Sequence, residues 1–190
     1  MYTVRPCRKN ERPVIAEIIN AAAEAYRGVI PTDRWHDPYM SLPELDSEIS
    51  AGVAFWAYES EGEVIGVMGI QPARDVELIR HAYVRPGNQR RGIGATLISH
   101  IRSLSSRQML VGTWAAATWA IAFYERHGFV LVSAEKKDCT TQNVLDDIRA
   151  SDRDFRSLGK PGAGIVTVSS ARDTKVGHGF PDSVGCNLFT

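Results

Sequence analysis

The sequence predicts a mixed α/β fold: a central, mostly antiparallel sheet flanked by helices. Three observations lead there. Runs rich in β-branched and aromatic residues recur at strand length, at Val53 to Glu59, Glu63 to Gln71 and Val76 to Val84. Two stretches with helical spacing precede these runs and two follow. The strand ending at Val84 also passes through a glycine-bearing link into a helix, where Ile93, Leu97, Ile98, Ile101 and Leu104 share one face. The predicted order is β, α, α, β, β, β, α, β, α, β.

Tyr2 to Cys7 alternates well enough for the first strand, with Pro6 at its end or on an edge. Asn10 is placed to cap the next helix, whose Ile15, Ile18, Ile19, Ala22 and Tyr26 recur at helical steps until Gly28. The run V-I-P-T-D-R-W-H-D-P-Y-M has no period and reads as an ordered loop. Ser41 and Glu44 form an S-x-x-E capping box that opens a second helix, ending near Gly52. Ser60, Glu61 and Gly62 join the next two strands as a hairpin. After the central helix come a buried strand at Met109 to Thr113, a helix at Trp119 to His127 closed by Gly128, and a strand from Phe129 to Val132.

The chain has 190 residues, which suits one domain or one domain with an appended tail. Its 22 basic and 22 acidic residues cancel, so no global field favours nucleic acid or an acidic membrane. Any anion site must therefore be local. No run is long enough to span a bilayer and the N-terminus lacks the form of a signal peptide, so a cytoplasmic protein is expected. Cys7, Cys139 and Cys186 are widely spaced and form no metal-ligand pattern.

The link V-R-P-G-N-Q-R-R-G-I-G-A, Val84 to Ala95, is the strongest functional signal. A strand, a glycine turn and a helix start together present unpaired amides and the positive end of a helix dipole. Gly92 and Gly94 would let a phosphate approach the backbone, and Arg90 and Arg91 add charge beside it. The turn is open to three readings: a plain tight connection, a dinucleotide or P-loop fingerprint, and a pyrophosphate site. The second lacks its third glycine, since Leu97 stands there, and the Gly-Lys-Ser/Thr of a P-loop.

Q-R-R-G-I-G at Gln89 to Gly94 resembles the Q/R-x-x-G-x-G/A signature of the GNAT superfamily of acetyl-coenzyme A-dependent N-acetyltransferases. Val84-Arg85-Pro86 lies just upstream, and A-I-A-F-Y-E-R-H-G-F at Ala120 to Phe129 resembles the family's second signature. The resemblance covers Met1 to about Val132. It implies that strands 4 and 5 splay apart, with the pantetheine arm on the main chain of Ala82 and Val84. The pyrophosphate would lie on Gln89, Arg90, Arg91, Gly92, Ile93, Gly94 and Ala95. It further implies that Tyr124 acts as general acid toward the leaving thiolate, and that catalysis is mainly approximation of an amine to an activated thioester.

The base is open between Glu77, His81 and a water chain, because the family's usual position falls nearest Leu78. Regular alternation puts Glu77 and His81 on one face and Arg80 on the other, and a bulge would change this. Ala117 stands where the family commonly has asparagine. The resemblance also places an acceptor pocket at Tyr26, Trp35, His36, Tyr39 and Met40, whose rings either suit an apolar or aromatic amine or simply cover the core; the expected acceptor is the primary amine of a small molecule. Two other outcomes are a non-catalytic coenzyme A-binding or regulatory module, and an inactive product with an aberrant C-terminus.

The ending does not resemble the family's. Residues 1–138 are expected to form the acetyltransferase domain and 139–190 an atypical tail of low order. Within it Val144, Leu145 and Ile148 suit a helix, and Ile165 to Val168 a short strand. A reading frame shifted by one nucleotide can encode an alternating, β-branched run in place of Thr141 to Gly159, so a frame-shifted ending would explain the mismatch. A sheet edge left open by such a tail would favour a homodimer.

Overall fold

A computed structural model describes residues 1–132 and 165–170. These residues form a seven-stranded sheet with helices on both faces. In order, the elements are β1 (Tyr2–Pro6), α1 (Arg12–Ala23), α2 (Leu42–Ser50), β2 (Ala54–Ser60), β3 (Glu63–Ala73), β4 (Val76–Val84), α3 (Ile93–Leu104), β5 (Gln108–Trp114), α4 (Thr118–Arg126), β6 (Phe129–Val132) and β7 (Ile165–Ser170). The strand order is β1-β2-β3-β4-β5-β7-β6. Among the described strands only β4 and β5 pair in parallel, because α3 carries the chain back between them.

Local chemistry explains most boundaries. Ser41 Oγ accepts from the Glu44 amide at 3.4 Å, and Glu44 Oε2 accepts from the Ser41 amide at 2.8 Å, so the expected capping box opens α2. The start of α1 differs from expectation. Asn10 lies inside a short 3-10 turn, Lys9–Glu11, and Glu11 takes the cap position with no side-chain cap bond. Glu11 is held instead by the Arg5 guanidinium, which also meets Glu59. The loop rich in proline and rings is ordered and contains a 3-10 turn at Thr32–Arg34.

Two apolar layers sandwich the sheet. On one face, Ile93, Leu97, Ile98 and Ile101 of α3 and Tyr124 of α4 pack on Ile65, Met68, Ile79 and Val111. On the other, Ile15, Ile18 and Ile19 of α1 and Leu45 of α2 pack on Phe55, Ala57, Val64 and Val67. Burying one such side chain fully contributes roughly 1.5–3 kcal/mol as an upper bound. Among the described residues no helix is long and apolar enough to cross a membrane. None of their His, Cys, Asp and Glu side chains form a group that would hold a metal ion.

Two features of the sheet place the candidate site. β4 and β5 are in register only from Val76 with Gln108 to Ile79 with Val111. Beyond that point β4 continues for five residues, Arg80 to Val84, without β5 beside it. The strands therefore part. On its other side, β4 carries a bulge: Val67 pairs with Tyr83 but Gly69 with Arg80, so Met68 faces both His81 and Ala82. His81 absorbs the extra residue with φ +49°. Strict alternation fails here, and Arg80 and His81 both turn toward α2, where each meets Glu48.

The strand expected at Ile165 to Val168 is present as β7, inserted antiparallel between β5 and β6. This part of the ending thus takes a place in the sheet. The expected helix around Val144 to Ile148, the frame-slip region and the rest of the tail lie outside the described residues.

The bulge depends on Gly69. A Cβ there would stand 2.9 Å from the Arg80 carbonyl oxygen and 2.8 Å from Val53 Cγ1, and the carbonyl cannot swing away. Gly69→Ala is expected to lower stability by about 1–3 kcal/mol through overpacking. Gly87 has open space around it and is the matched position for Gly87→Ala, although its own φ of +84° adds strain there. Urea unfolding of the two variants checks the ranking; equal stability of Gly69→Ala and the parent chain would contradict it.

Candidate active site

The turn between β4 and α3 gathers all of Gln89 to Ala95 at one helix start. Gln89 Nε2 donates to the Val84 carbonyl at 3.2 Å and ties the turn to the end of β4. Arg90 has φ +61° and Gly92 φ +80°, a left-handed pair that turns the chain into α3. Gly92 is the cap residue and no side chain caps the helix. The first intrahelical bond runs from the Thr96 amide to the Gly92 carbonyl, so the amides of Ile93, Gly94 and Ala95 precede it. Gln89, Arg90 and Arg91 are exposed at this end. This is an anion-binding arrangement of backbone and charge.

The two glycines have different structural reasons. Gly92 has open space where a Cβ would go, so its backbone conformation is what requires glycine. At Gly94 a Cβ would stand 3.1 Å from Phe123 Cε2 and 3.2 Å from Cζ. The missing side chain therefore admits the Phe123 ring and lets α3 and α4 approach.

Ala82 and Val84 lie on the unpaired stretch of β4, with side chains packed against the α3 face. Their main chain borders the gap left by β5. An extended ligand arm can bond this edge as an added strand would.

Phenols enter the gap from both faces. Tyr124, on the α3 side, is buried between Phe123 and Phe129, with ring centroids 5.1 and 5.4 Å away. Tyr26 follows α1 on the opposite side, yet Trp119 of α4 lies 5.5 Å from its ring. Tyr39 of the loop before α2 has its ring 6.4 Å from that of Tyr26, and Tyr39 and Tyr83 of β4 pack against the same core. Contacts between elements on opposite faces are possible because the strands have parted. Burial raises the Tyr124 hydroxyl above its ordinary value, aided by Tyr26. Burial also pushes the Tyr26 hydroxyl up to about 12, with Tyr39 adding to it. Tyr83 is raised by burial and by Tyr39 and Tyr26. These groups keep their protons at neutral pH.

The two expected bases fall in different places. Glu77 is buried in the paired half of β4, where it accepts from Ser105 Oγ at 3.3 Å and lies 3.8 Å from Arg107. That is the far end of β4 from the gap. His81 lies at the bulge, beside the unpaired stretch. Its Nε2 is 3.2 Å from Glu48 Oε2, and its ring stacks on Phe55 at 5.8 Å. Arg80 donates to both Glu48 oxygens at 2.9 and 2.8 Å. Burial pushes the Glu48 carboxyl up, but the His81 bond and the Arg80 charge outweigh it and hold the carboxyl below its ordinary value.

Of the expected acceptor residues, Tyr26, Trp35, His36 and Tyr39 form one ring cluster, with Tyr39 at 6.4 Å from Tyr26, 5.4 Å from Trp35 and 5.9 Å from His36. Arg27 lies 4.5 Å over the Trp35 ring. Met40 is buried in the α1 and α2 core. Sequence reasoning missed Tyr83, Trp119 and Glu48. Tyr83 stands between the two backbone positions that were named, so its place beside the gap was within reach.

A parted parallel pair with an uncapped anion turn after the fourth strand fits a coenzyme-dependent acyl transferase. The acetyltransferase (GNAT) domain family matches residues 51–131. The chain is 30% identical over 131 residues to the uncharacterised N-acetyltransferase YjgM of Escherichia coli K12, covering 63% of this chain and 76% of that protein. It is 26% identical over 137 residues to the peptidyl-lysine N-acetyltransferase YiaC of the same organism, covering 72% and 89%. The PaiA N-acetyltransferase of Thermoplasma acidophilum, solved in complex with coenzyme A, superposes with TM-score 0.64 at 12% identity, covering 90% of this chain and 98% of that one. The chain belongs to the GNAT family of acetyl-coenzyme A-dependent acetyltransferases.

The raised phenols give a pH dependence with a defined sign. A hydroxyl whose folded value is raised contributes stability that is complete below the unfolded value of 10.0 and is lost as pH rises through the folded one. Stability is therefore expected to fall above about pH 10, and less steeply in Tyr26→Phe and Tyr124→Phe. Urea midpoints across the alkaline range, with phenolate absorbance followed in parallel, check this. A parent chain and variants of equal slope would contradict it.

Proposed function

We propose that the chain transfers the acetyl group of acetyl-coenzyme A to the primary amine of a small molecule. The observation that carries this is the gap beyond Ile79 and Val111, bordered by the anion turn at one end and by phenols from both faces. The amides of Ile93, Gly94 and Ala95, with Arg90 and Arg91, hold the pyrophosphate. The open main chain at Ala82 and Val84 holds the pantetheine arm. Thioester and amine then meet in the gap, and approximation supplies most of the rate.

The chemistry asks two proton transfers of the protein. The amine nitrogen attacks the thioester carbonyl carbon as His81, steadied by Glu48, accepts its proton. The carbon–sulfur bond breaks and Tyr124 gives a proton to the departing sulfur. Glu77, engaged with Ser105 and Arg107 at the other end of β4, has no part in this scheme. The residues Tyr26, Trp35 and Tyr39 border the amine's side of the gap. A second acceptor, a lysine side chain in a peptide, is favoured by the similarity to YiaC, whose name states that activity.

Melting of the purified chain with acetyl-coenzyme A, followed by thiol release with a panel of small amines and a lysine peptide, tests the scheme. Acetyl-coenzyme A at a hundred times its dissociation constant is expected to add about 2.7 kcal/mol. Arg90→Glu with Arg91→Glu should abolish that gain; both side chains are exposed, so the fold is spared. Tyr124→Phe should bind normally and lower kcat by about 10²-fold or more. Binding without turnover of any amine would support the non-catalytic module instead, and turnover of the peptide alone would replace the small-molecule acceptor.

A further inference from the structure

Asn20 lies on α1 and spends both ends of its side-chain amide on one residue of the acceptor loop. Its Nδ2 donates to the Met40 carbonyl at 2.9 Å, and its Oδ1 accepts from the Met40 amide at 2.7 Å. The side chain thus imitates a strand partner, and both bonds are partly shielded from water. Elsewhere the loop is held by the buried Ile30 and Met40 side chains, by Arg27 over the Trp35 ring and by a surface pair of Arg27 with Asp37, none of which fixes the Met40 backbone directly. Met40 follows Tyr39 directly. A fixed Met40 backbone therefore fixes where the Tyr39 ring enters the cluster, and Tyr39 packs against the same core as Tyr83 on the unpaired stretch of β4.

We infer that Asn20 is a positioning residue for the acceptor. By clamping Met40 it sets the Tyr39 phenol, with Tyr83, at the edge of the gap, and these two phenols orient the incoming amine. The inference rests on the acetyl-transfer reading above and adds to it the device that aligns the second substrate. A phenol oxygen suits the task, since it accepts a hydrogen bond from an amine without the negative charge that would favour the protonated ammonium. Asn20 is remote from the anion turn in sequence and shares no hydrogen bond with it among the described residues, so coenzyme binding should not sense it.

The test is steady-state kinetics of Asn20→Ala, Asn20→Asp and Tyr39→Phe with an amine the parent chain turns over. Asn20→Ala is expected to raise KM for the amine about tenfold, with KM for acetyl-coenzyme A and kcat changed less than about twofold. Asn20→Asp keeps an acceptor for the Met40 amide but sets a carboxylate oxygen against the Met40 carbonyl, so it should raise the same constant as well. Tyr39→Phe keeps the ring and removes the hydroxyl, so it should raise the same constant even if Asn20→Ala folds poorly. Equal effects on both KM values, or no change in the amine KM in Tyr39→Phe, would overturn the positioning role while leaving acetyl transfer intact. Absence of turnover by the parent chain with every amine would overturn both.

Discussion

The site depends on one geometric fact, that β4 and β5 stop pairing after Ile79 and Val111. A parallel pair continued to Val84 would satisfy its own main chain and leave no opening. Parting exposes backbone groups that need partners, and in the proposed scheme an extended ligand arm supplies them. The bulge opposite Met68 contributes by bending and twisting β4 at the point where pairing ends. The same bulge brings Arg80 and His81 to Glu48, which ties the bent strand to α2. One irregularity thus helps open the sheet and anchors the strand that borders the opening.

Glycines hold the surrounding parts at the required spacing. At Gly66 a Cβ would stand 2.9 Å from Ile93 Cγ2, so α3 is seated close on β3. Gly94 seats Phe123 and brings α4 against the start of α3. The Gln89 bond to the Val84 carbonyl then fixes the anion turn relative to the unpaired strand. Tyr124, one residue after Phe123, inherits its position from that contact. The distance between turn and phenol is accordingly a product of core packing, and a substitution that shifts α3 by a fraction of an ångström shifts both ends of the site.

The sequence made the regular parts legible. Period-2 and period-3.6 patterns located the strands and helices from β1 to β6, and the capping box at Ser41 and Glu44 is realised as drawn. The anion turn was legible because its residues are contiguous. What could not be seen is non-local. Whether His81 shares a face with Glu77 or with Arg80 depends on a left-handed residue that no period reveals. Glu48 looks like a solvated helix residue until β4 bends toward it. Gly94 suggested phosphate approach because its neighbour across space, Phe123, lies about 30 residues on in the chain. The strand Ile165–Ser170 matches its β-branched composition, but its place between β5 and β6 follows from the sheet and from nothing local.

Charge on the amine's side of the gap fits the proposed chemistry. An acceptor amine must lose a proton before it can attack, and a free carboxylate beside it would hold that proton in place. Glu48 is already matched by Arg80 and His81, and the phenols Tyr26, Tyr83 and Tyr124 are kept neutral by burial. Neutral oxygens and ring faces can hold an amine without stabilising its charged form against reaction. The positive charge of Arg90 and Arg91 stands at the other end of the gap, where a pyrophosphate needs it. In the proposed scheme a chain with no net charge thereby separates an anion-holding end from an uncharged reacting centre. The spacing between them is set by the length of β4 that runs without β5.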